Sequence, residues 1–332
     1  MNVDSVKLSI VAPVYGVEKY IGLWLDSVFH QDIPETDYEV ICVNDCTQDR
    51  SAEVIRAYQT NHSNLRLINH EYNKKDNAAR NTGLKAAVGK YIWFNDPDDL
   101  IVTNCLKHII ETCEQNDLDS YHWSIQNTCG KILKQLKDTN VLTGPQIILS
   151  EWKDNNIDIT YTWNRVYRRQ LLVDAEVYFR EERGCDVLQT IQANNICKRV
   201  MDTSKIFYVY REDNPTNYSH TDTNKAWRIM AYSFRLGKYV YELPNIDNSI
   251  QELVHNMGDW RINQVQKAIL RMPHTELKQL FTMLQAEPEI YNFALQHSNR
   301  FVKCLLTFPY ICRMLNYIYR PIAELRTLWL SV

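Results

Sequence analysis

Glycine is scarce in this chain, with nine residues in 332, against about 7% in average proteins. That scarcity excludes collagen-like repeats and glycine-loop architectures. No G-x-G-x-x-G is present; Pro13-Val-Tyr-Gly16 follows the first apolar run instead, which argues against a nicotinamide-binding fingerprint. The glycine- and lysine-bearing loop of a sugar nucleotidyltransferase is missing too. The nine cysteines are odd in number, scattered and without a C-x-x-C pair, which removes zinc-ribbon and thioredoxin-type sites. They read as reduced, mostly buried thiols of a cytoplasmic protein. No apolar run approaches the roughly 18–20 residues of a spanning helix. The first residues lack a basic segment, and Pro13 breaks their apolar run, so they make a poor secretory leader. Neither sign of charge dominates: 37 Lys and Arg face 40 Asp and Glu, for a net charge of -3. That balance argues against nucleic acid as a partner.

The composition is that of an ordinary globular protein, 45% hydrophobic and 23% charged. The length suggests about two domains. The first hundred residues alternate strand and helix signals. Leu8–Val14, Tyr38–Asn44, Leu65–Asn69 and Tyr91–Asn95 read as buried strands. Helices are expected over Glu18–Gln31, from Ser51 (a candidate cap), and over Asn77–Ala87. Such alternation implies an α/β, doubly wound parallel sheet with ligands at the carboxyl ends of its strands. Further along, Trp163–Leu172 and Asp186–Asn195 read as helices and Ile206–Arg211 as a strand. Asn214-Pro215 marks a turn, and the chain beyond about Thr223 is helical throughout.

Polar clusters fall at the strand ends. Tyr15 follows the first strand, Asn44-Asp45 ends the second, and Asp96-Pro-Asp98-Asp99 follows the fourth. Two carboxylates at the end of a buried strand repel each other unless a cation neutralises them. Mg²⁺ or Mn²⁺ would take one or two such carboxylates together with substrate phosphates and stabilise a diphosphate leaving group. A lone D-x-D would be read as a solvated turn; the company of Asp45 and Tyr15 favours a site.

Four segments occur in order: Leu8-Ser-Ile-Val-Ala-Pro-Val-Tyr-Gly, Val43-Asn-Asp-Cys-Thr-Gln-Asp-Arg-Ser, Ala78-Ala-Arg-Asn-Thr-Gly and Tyr91-Ile-Trp-Phe-Asn-Asp-Pro-Asp-Asp. Together they resemble the nucleotide-binding half of family 2 glycosyltransferases, which have the GT-A fold. The likeness covers roughly residues 5–105. It extends more weakly through Trp163-Asn-Arg-Val-Tyr167 and Tyr208-Val-Tyr-Arg211 to about residue 220. It implies a GT-A domain over 1–222, with a nucleotide-binding half at 5–105 and an acceptor-binding half at 106–222. A helical C-terminal region over 223–332 would follow.

The resemblance also implies roles. Pro13 and Tyr15 would form the wall on which a uracil ring stacks, and Asp45 would accept from uracil N3–H. Arg80 would sit by the base or the diphosphate as a cation. Asp96 would approach the ribose and the metal, and Asp98 would ligate the metal directly. The family's catalytic base maps to Asp186, with Cys185 where Glu is common and Glu181 and Glu182 as nearby substitutes. A helix N-terminus is expected to lower the pKa of Asp186 and keep it ionised, ready to take a proton from an acceptor hydroxyl.

The implied activity is inverting transfer from a UDP-sugar to a saccharide or lipid-linked saccharide, in cell-surface polysaccharide or lipid-linked glycan synthesis. The alternative is a catalytically silent, transferase-like nucleotide-binding or assembly partner, which Cys185 keeps open. The lysines of Asn73-Lys-Lys-Asp76 read as solvated, and His220 is a weak further metal candidate. Residues 300–332 carry +4 and interleaved aromatics. They suit a peripheral contact with the inner face of a membrane and equally a helix packed on protein.

Overall fold

A computed structural model describes residues 6–153, 161–180, 186–212, 214, 226–269, 274–298 and 303. The chain divides into two units, Met1–Asn214 and Pro215–Val332. The expected 222/223 boundary, Glu181, Glu182, Cys185 and His220 lie outside the described residues, as does the 300–332 tail except Lys303.

The first unit is built on a nine-stranded mixed sheet. Its parallel half comprises β1 (Leu8–Val14), β2 (Tyr38–Asn44), β3 (Leu65–Asn69) and β4 (Tyr91–Phe94), in the order β3-β2-β1-β4. Every residue of β2 and β4 is buried, as expected for strands covered on both faces. The crossovers are α1 (Ile21–Phe29), α2 (Ser51–Gln59) and α3 (Asp76–Ala86). Helix α1 turns Ile21, Trp24, Leu25 and Val28 inward at helical spacing.

Beyond β4 the sheet becomes mixed. It continues through β5 (Leu100–Ile101), β6 (Ser120–Asn127), β7 (Ile132–Lys134), β8 (Arg165–Arg168) and β9 (Val200–Tyr210). Strand β8 runs antiparallel to both β4 and β6, while β9 is parallel to β6 and antiparallel to β5. The helix expected over Trp163–Leu172 is therefore half strand: β8 leads into the short α6 (Arg169–Asp174). Val166 joins the core on one sheet face and Tyr167 the core on the other. That two-residue period is easily mistaken for a helical one over so short a run. The remaining helices of this unit are α4 (Leu106–Gln115), α5 (Gly144–Lys153) and α7 (Asp186–Ile196).

The second unit is helical where described: α8 (Ala226–Tyr241), α9 (Asn248–Ile269), α10 (His274–Gln285) and α11 (Pro288–His297). The Tyr241 ring stacks on His255 at 4.7 Å, and Arg235 pairs with Glu287. No helix among the described residues is long and apolar enough to cross a membrane.

Candidate active site

Strand register sets the site. Val14 lies opposite Asn44, and Asn44 opposite Asn69. Tyr15, Asp45 and His70 therefore step off one edge of the sheet side by side. Strand β4 stops opposite Val11, and the chain then turns through Asp96–Asp99.

Tyr15 is 55% exposed, unusual for a large aromatic next to a buried strand. Its loop is held from outside. Gly16, at φ +70°, donates its N–H to Thr47 Oγ1 at 2.9 Å. Glu18 N donates to Asp49 Oδ2 at 2.9 Å, and Val17 N donates to Ser51 Oγ at 3.2 Å. Asp49 Oδ1 accepts from Thr47, from Ser51 N and from Ser51 Oγ. Burial alone would raise the pKa of Asp49, but these donors outweigh it and hold it below the usual carboxylate value. Ser51 is thus not the helix cap expected; it sits inside α2, and its hydroxyl joins two loops. Thr47 and Asp49, which shape the Tyr15 wall, were not singled out in the sequence.

Asp45 is buried. Its Oδ1 accepts from Lys74 N at 2.7 Å and lies 2.8 Å from His70 Nδ1; its Oδ2 accepts from Lys75 N at 2.7 Å. The carboxylate therefore pins the 74–75 loop, where Lys75 has φ +77°, a value unfavourable for a side-chain-bearing residue. With each carboxylate oxygen able to accept two hydrogen bonds, Oδ2 keeps acceptor capacity. Lys74 lies over the Tyr72 ring at 5.2 Å.

The acidic turn is built by the end of β9. Tyr208 donates its hydroxyl to Asp99 Oδ2 at 2.6 Å, and Arg211 N donates to Asp99 Oδ1 at 2.7 Å. Arg211 Nε donates to the Asp98 carbonyl at 2.8 Å, and Asn214 Nδ2 to Asp98 Oδ2 at 2.8 Å. Burial raises the pKa of Asp98, and the Asp96 carboxylate raises it further. Asp99 is pushed well above its ordinary value by burial foremost, then by the Asp98 and Asp96 charges.

Arg80, expected beside the base or the diphosphate, lies against Asp96 at the end of the acidic turn. It is 4% exposed and surrounded by acids. Its Nη1 donates to Asp76 at 3.0 Å and to Asn77 at 2.9 Å, and its Nη2 donates to Asp96 at 2.8 Å. Asp186 Oδ1 lies 3.7 Å from Nη1. Burial by itself would lower the pKa of Arg80, but the Asp186, Asp96 and Asp76 carboxylates reverse the sign. Asp186 opens α7, as the sequence implied, yet its pKa is raised to about 6 rather than lowered. Burial is the main cause, and the Asp76 and Asp96 charges add to it while Arg80 opposes them. A helix end carries only about half a charge, too little to offset these.

Among the described residues, no group of three or more His, Cys, Asp or Glu forms a complete cation cage. Asp96 and Asp98 do offer hard oxygen donors, and the pKa of Asp98, raised by burial and then by the Asp96 charge, marks a desolvated carboxylate that a cation would stabilise. They fit the partial ligand set that Mg²⁺ or Mn²⁺ completes with phosphates.

The sequence matches the family described as glycosyl transferase family 2 over residues 9–174. The chain belongs to glycosyl transferase family 2. It is 34% identical over 214 residues to the uncharacterized glycosyltransferase EpsJ of Bacillus subtilis strain 168, covering 62% of this chain and 61% of that protein. It is 31% identical over 230 residues to the poly(ribitol-phosphate) beta-N-acetylglucosaminyltransferase TarS of Staphylococcus aureus strain Mu50, covering 68% of this chain and 39% of TarS. The chain thus spans less than two thirds of the length of either. The crystal structure of S. aureus TarS 1-349 in complex with UDP-GlcNAc superposes with a TM-score of 0.70 at 22% identity, over 95% of this chain and 92% of that one. The mannosyltransferase PcManGT of Pyrobaculum calidifontis, in complex with GDP-Man and Mn²⁺, superposes at 0.55 and 14% identity, over 88% and 84%. The fold of this family 2 member is GT-A.

Proposed function

We propose that this family 2 chain is an inverting glycosyltransferase that moves a sugar from a UDP-sugar to a hydroxyl of a saccharide or lipid-linked saccharide. Its task would lie in cell-surface polysaccharide or lipid-linked glycan synthesis, on the cytoplasmic side. The observation that carries this reading is the single sheet edge. It presents an exposed aromatic, Tyr15, a buried acceptor, Asp45, and two acids, Asp96 and Asp98, with Asp186 joined to that edge through Arg80. TarS supports the donor class, since it has been crystallised with UDP-GlcNAc. The names of TarS and of the poly(ribitol-phosphate) beta-glucosyltransferase of Bacillus spizizenii support a polymer acceptor.

Pro13 and Tyr15 would give the uracil a flat apolar wall, and the remaining lone pair of Asp45 would accept from its N3–H. Asp98 and Asp96 would hold Mn²⁺ or Mg²⁺, which when bound neutralises charge on the departing diphosphate. Asp186 would accept the acceptor hydroxyl's proton as that oxygen bonds to the anomeric carbon and the bond from that carbon to the diphosphate oxygen breaks. One displacement of this kind inverts the anomeric configuration. A base with a pKa about 6 is mostly ionised at neutral pH yet still takes a proton usefully.

UDP release from a panel of UDP-sugars with Mn²⁺ tests the reading. Wild type should turn over at least one donor, and Asp98→Ala and Asp186→Asn should each lose about 100-fold or more. Nucleotide binding without turnover of any donor would mark the chain as a silent binding module.

A further inference from the structure

One face of α3 holds the backbone at Phe179 and Arg180. Asn77 Nδ2 donates to the Arg180 carbonyl at 2.8 Å. Asn81 makes a reciprocal pair with Phe179, donating to its carbonyl at 2.7 Å and accepting from its N–H at 2.8 Å. Between these two asparagines, Arg80 lays its guanidinium over the Phe179 ring at 5.6 Å. That guanidinium reaches Asp96 on one side and Asp186 on the other. Only a planar, branched cation can serve two acids in fixed, divergent directions; a lysine ammonium is a single point charge.

We propose that Arg80 is a positioning residue that sets Asp186 for proton transfer and ties it to Asp96, rather than a contact for the donor's base or diphosphate. The proposal rests on the reading of Asp186 as the base. Arg80 is sealed from solvent, and its bonds already go to Asp76, Asn77 and Asp96. It is therefore poorly placed to meet an incoming nucleotide. What it does meet is a carboxylate from each of three elements: Asp76 on α3, Asp96 after β4, and Asp186 at the start of α7. Without the cation these three acids would repel one another, and Asp186 would lose both its orientation and the support for its charged form. The two asparagine clamps fix the backbone at Phe179 and Arg180, and Arg80 offers its charge to the side chain that opens α7.

The test is a double-mutant cycle of Arg80→Met and Asp186→Asn, read as UDP release from a UDP-sugar that wild type turns over, with UDP affinity by calorimetry in Mn²⁺. Arg80→Met should lower kcat about 100-fold while UDP affinity changes less than about fivefold. In the Asp186→Asn background the same substitution should cost no more than about threefold, since its target is already gone. Arg80→Lys should recover part of the rate. Additive losses, or a loss confined to UDP affinity, would overturn the assignment. Failure of wild type to release UDP from any donor would instead overturn the functional reading. In that event the ¹³C carboxyl resonance of Asp186, flanked by Asp76, Asn77, Arg80 and Asp96, decides the matter. It should titrate at distinctly higher pH in Arg80→Met than in wild type, and an unchanged titration would sink the proposal.

Discussion

Tyr208 joins β9 to the acidic turn through a 2.6 Å hydrogen bond from its hydroxyl to Asp99 Oδ2. Its ring is stacked on Trp163 at 4.4 Å, so the phenol is held at both ends. Tyr208→Phe keeps the stack and deletes the donor, leaving a buried carboxylate short of one partner. The expected cost is about 1–3 kcal/mol of stability, read by urea unfolding. Because Asp98 is on the same turn, the Michaelis constant for the donor should rise while kcat changes little. A variant with wild-type stability and an unchanged donor constant would show that the turn holds its shape without Tyr208.

Asp45 offers a second separation of roles. It accepts two backbone N–H bonds from Lys74 and Lys75, and these hold Lys75 in its positive-φ conformation. Asp45→Ala should cost about 2–3 kcal/mol, since hydrogen bonds to a charged group are among the stronger ones. It should also weaken UDP binding by about tenfold or more, read by calorimetry, as the proposed acceptor for uracil N3–H is lost together with the loop anchor. Lys75→Gly should instead raise the melting temperature, because it relieves the strained backbone without touching the carboxylate.

The strand ends were legible because β1, β2 and β4 are apolar runs stopped by polar residues, which places Tyr15, Asp45, Asp96 and Asp98 on one edge before any coordinates. Asp186 was legible only through family resemblance. The supports were not legible at all. Tyr208, Arg211 and Asn214 reach the acidic turn from more than a hundred residues away, and no local pattern encodes such a contact. The surroundings of Arg80 were hidden for the same reason: its position on α3 could be read, but not the three acids gathered round it. The pKa direction of Asp186 failed because sequence shows the helix end and hides the burial. Strand β8 failed because four residues are too few to separate a period of two from one of 3.6.

Gly89 tests packing at the opposite end of the parallel strands. A Cβ there would lie 2.6 Å from the Ser9 backbone N and 2.7 Å from the Leu8 carbonyl carbon, and β1 backbone cannot rotate aside as a side-chain tip could. Gly89→Ala should therefore destabilise the first unit by about 2–3 kcal/mol, measured by urea midpoint. At a temperature where the variant is folded, its donor constant and kcat should match wild type, because the proposed donor site lies at the other end of these strands. A loss of activity without loss of stability would contradict that separation.

The raised pKa of Asp186 makes stability and activity oppose each other in pH. Its folded value of about 6 exceeds the ordinary 3.8, so the folded chain holds this proton more tightly than the unfolded chain does. The resulting stabilisation is full below about 3.8 and is lost as pH rises through about 6. The proposed proton transfer to Asp186 needs the opposite form, so kcat/KM should climb over the same interval, with an acid limb centred near pH 6. Between pH 5 and pH 7.5, urea unfolding of wild type should lose about 1 kcal/mol more than Asp186→Asn loses, after allowance for the partial solvent contact of this side chain. Parallel stability curves for the two proteins would mean that Asp186 is solvated and ordinary. The acid limb of the rate profile would then belong to another group.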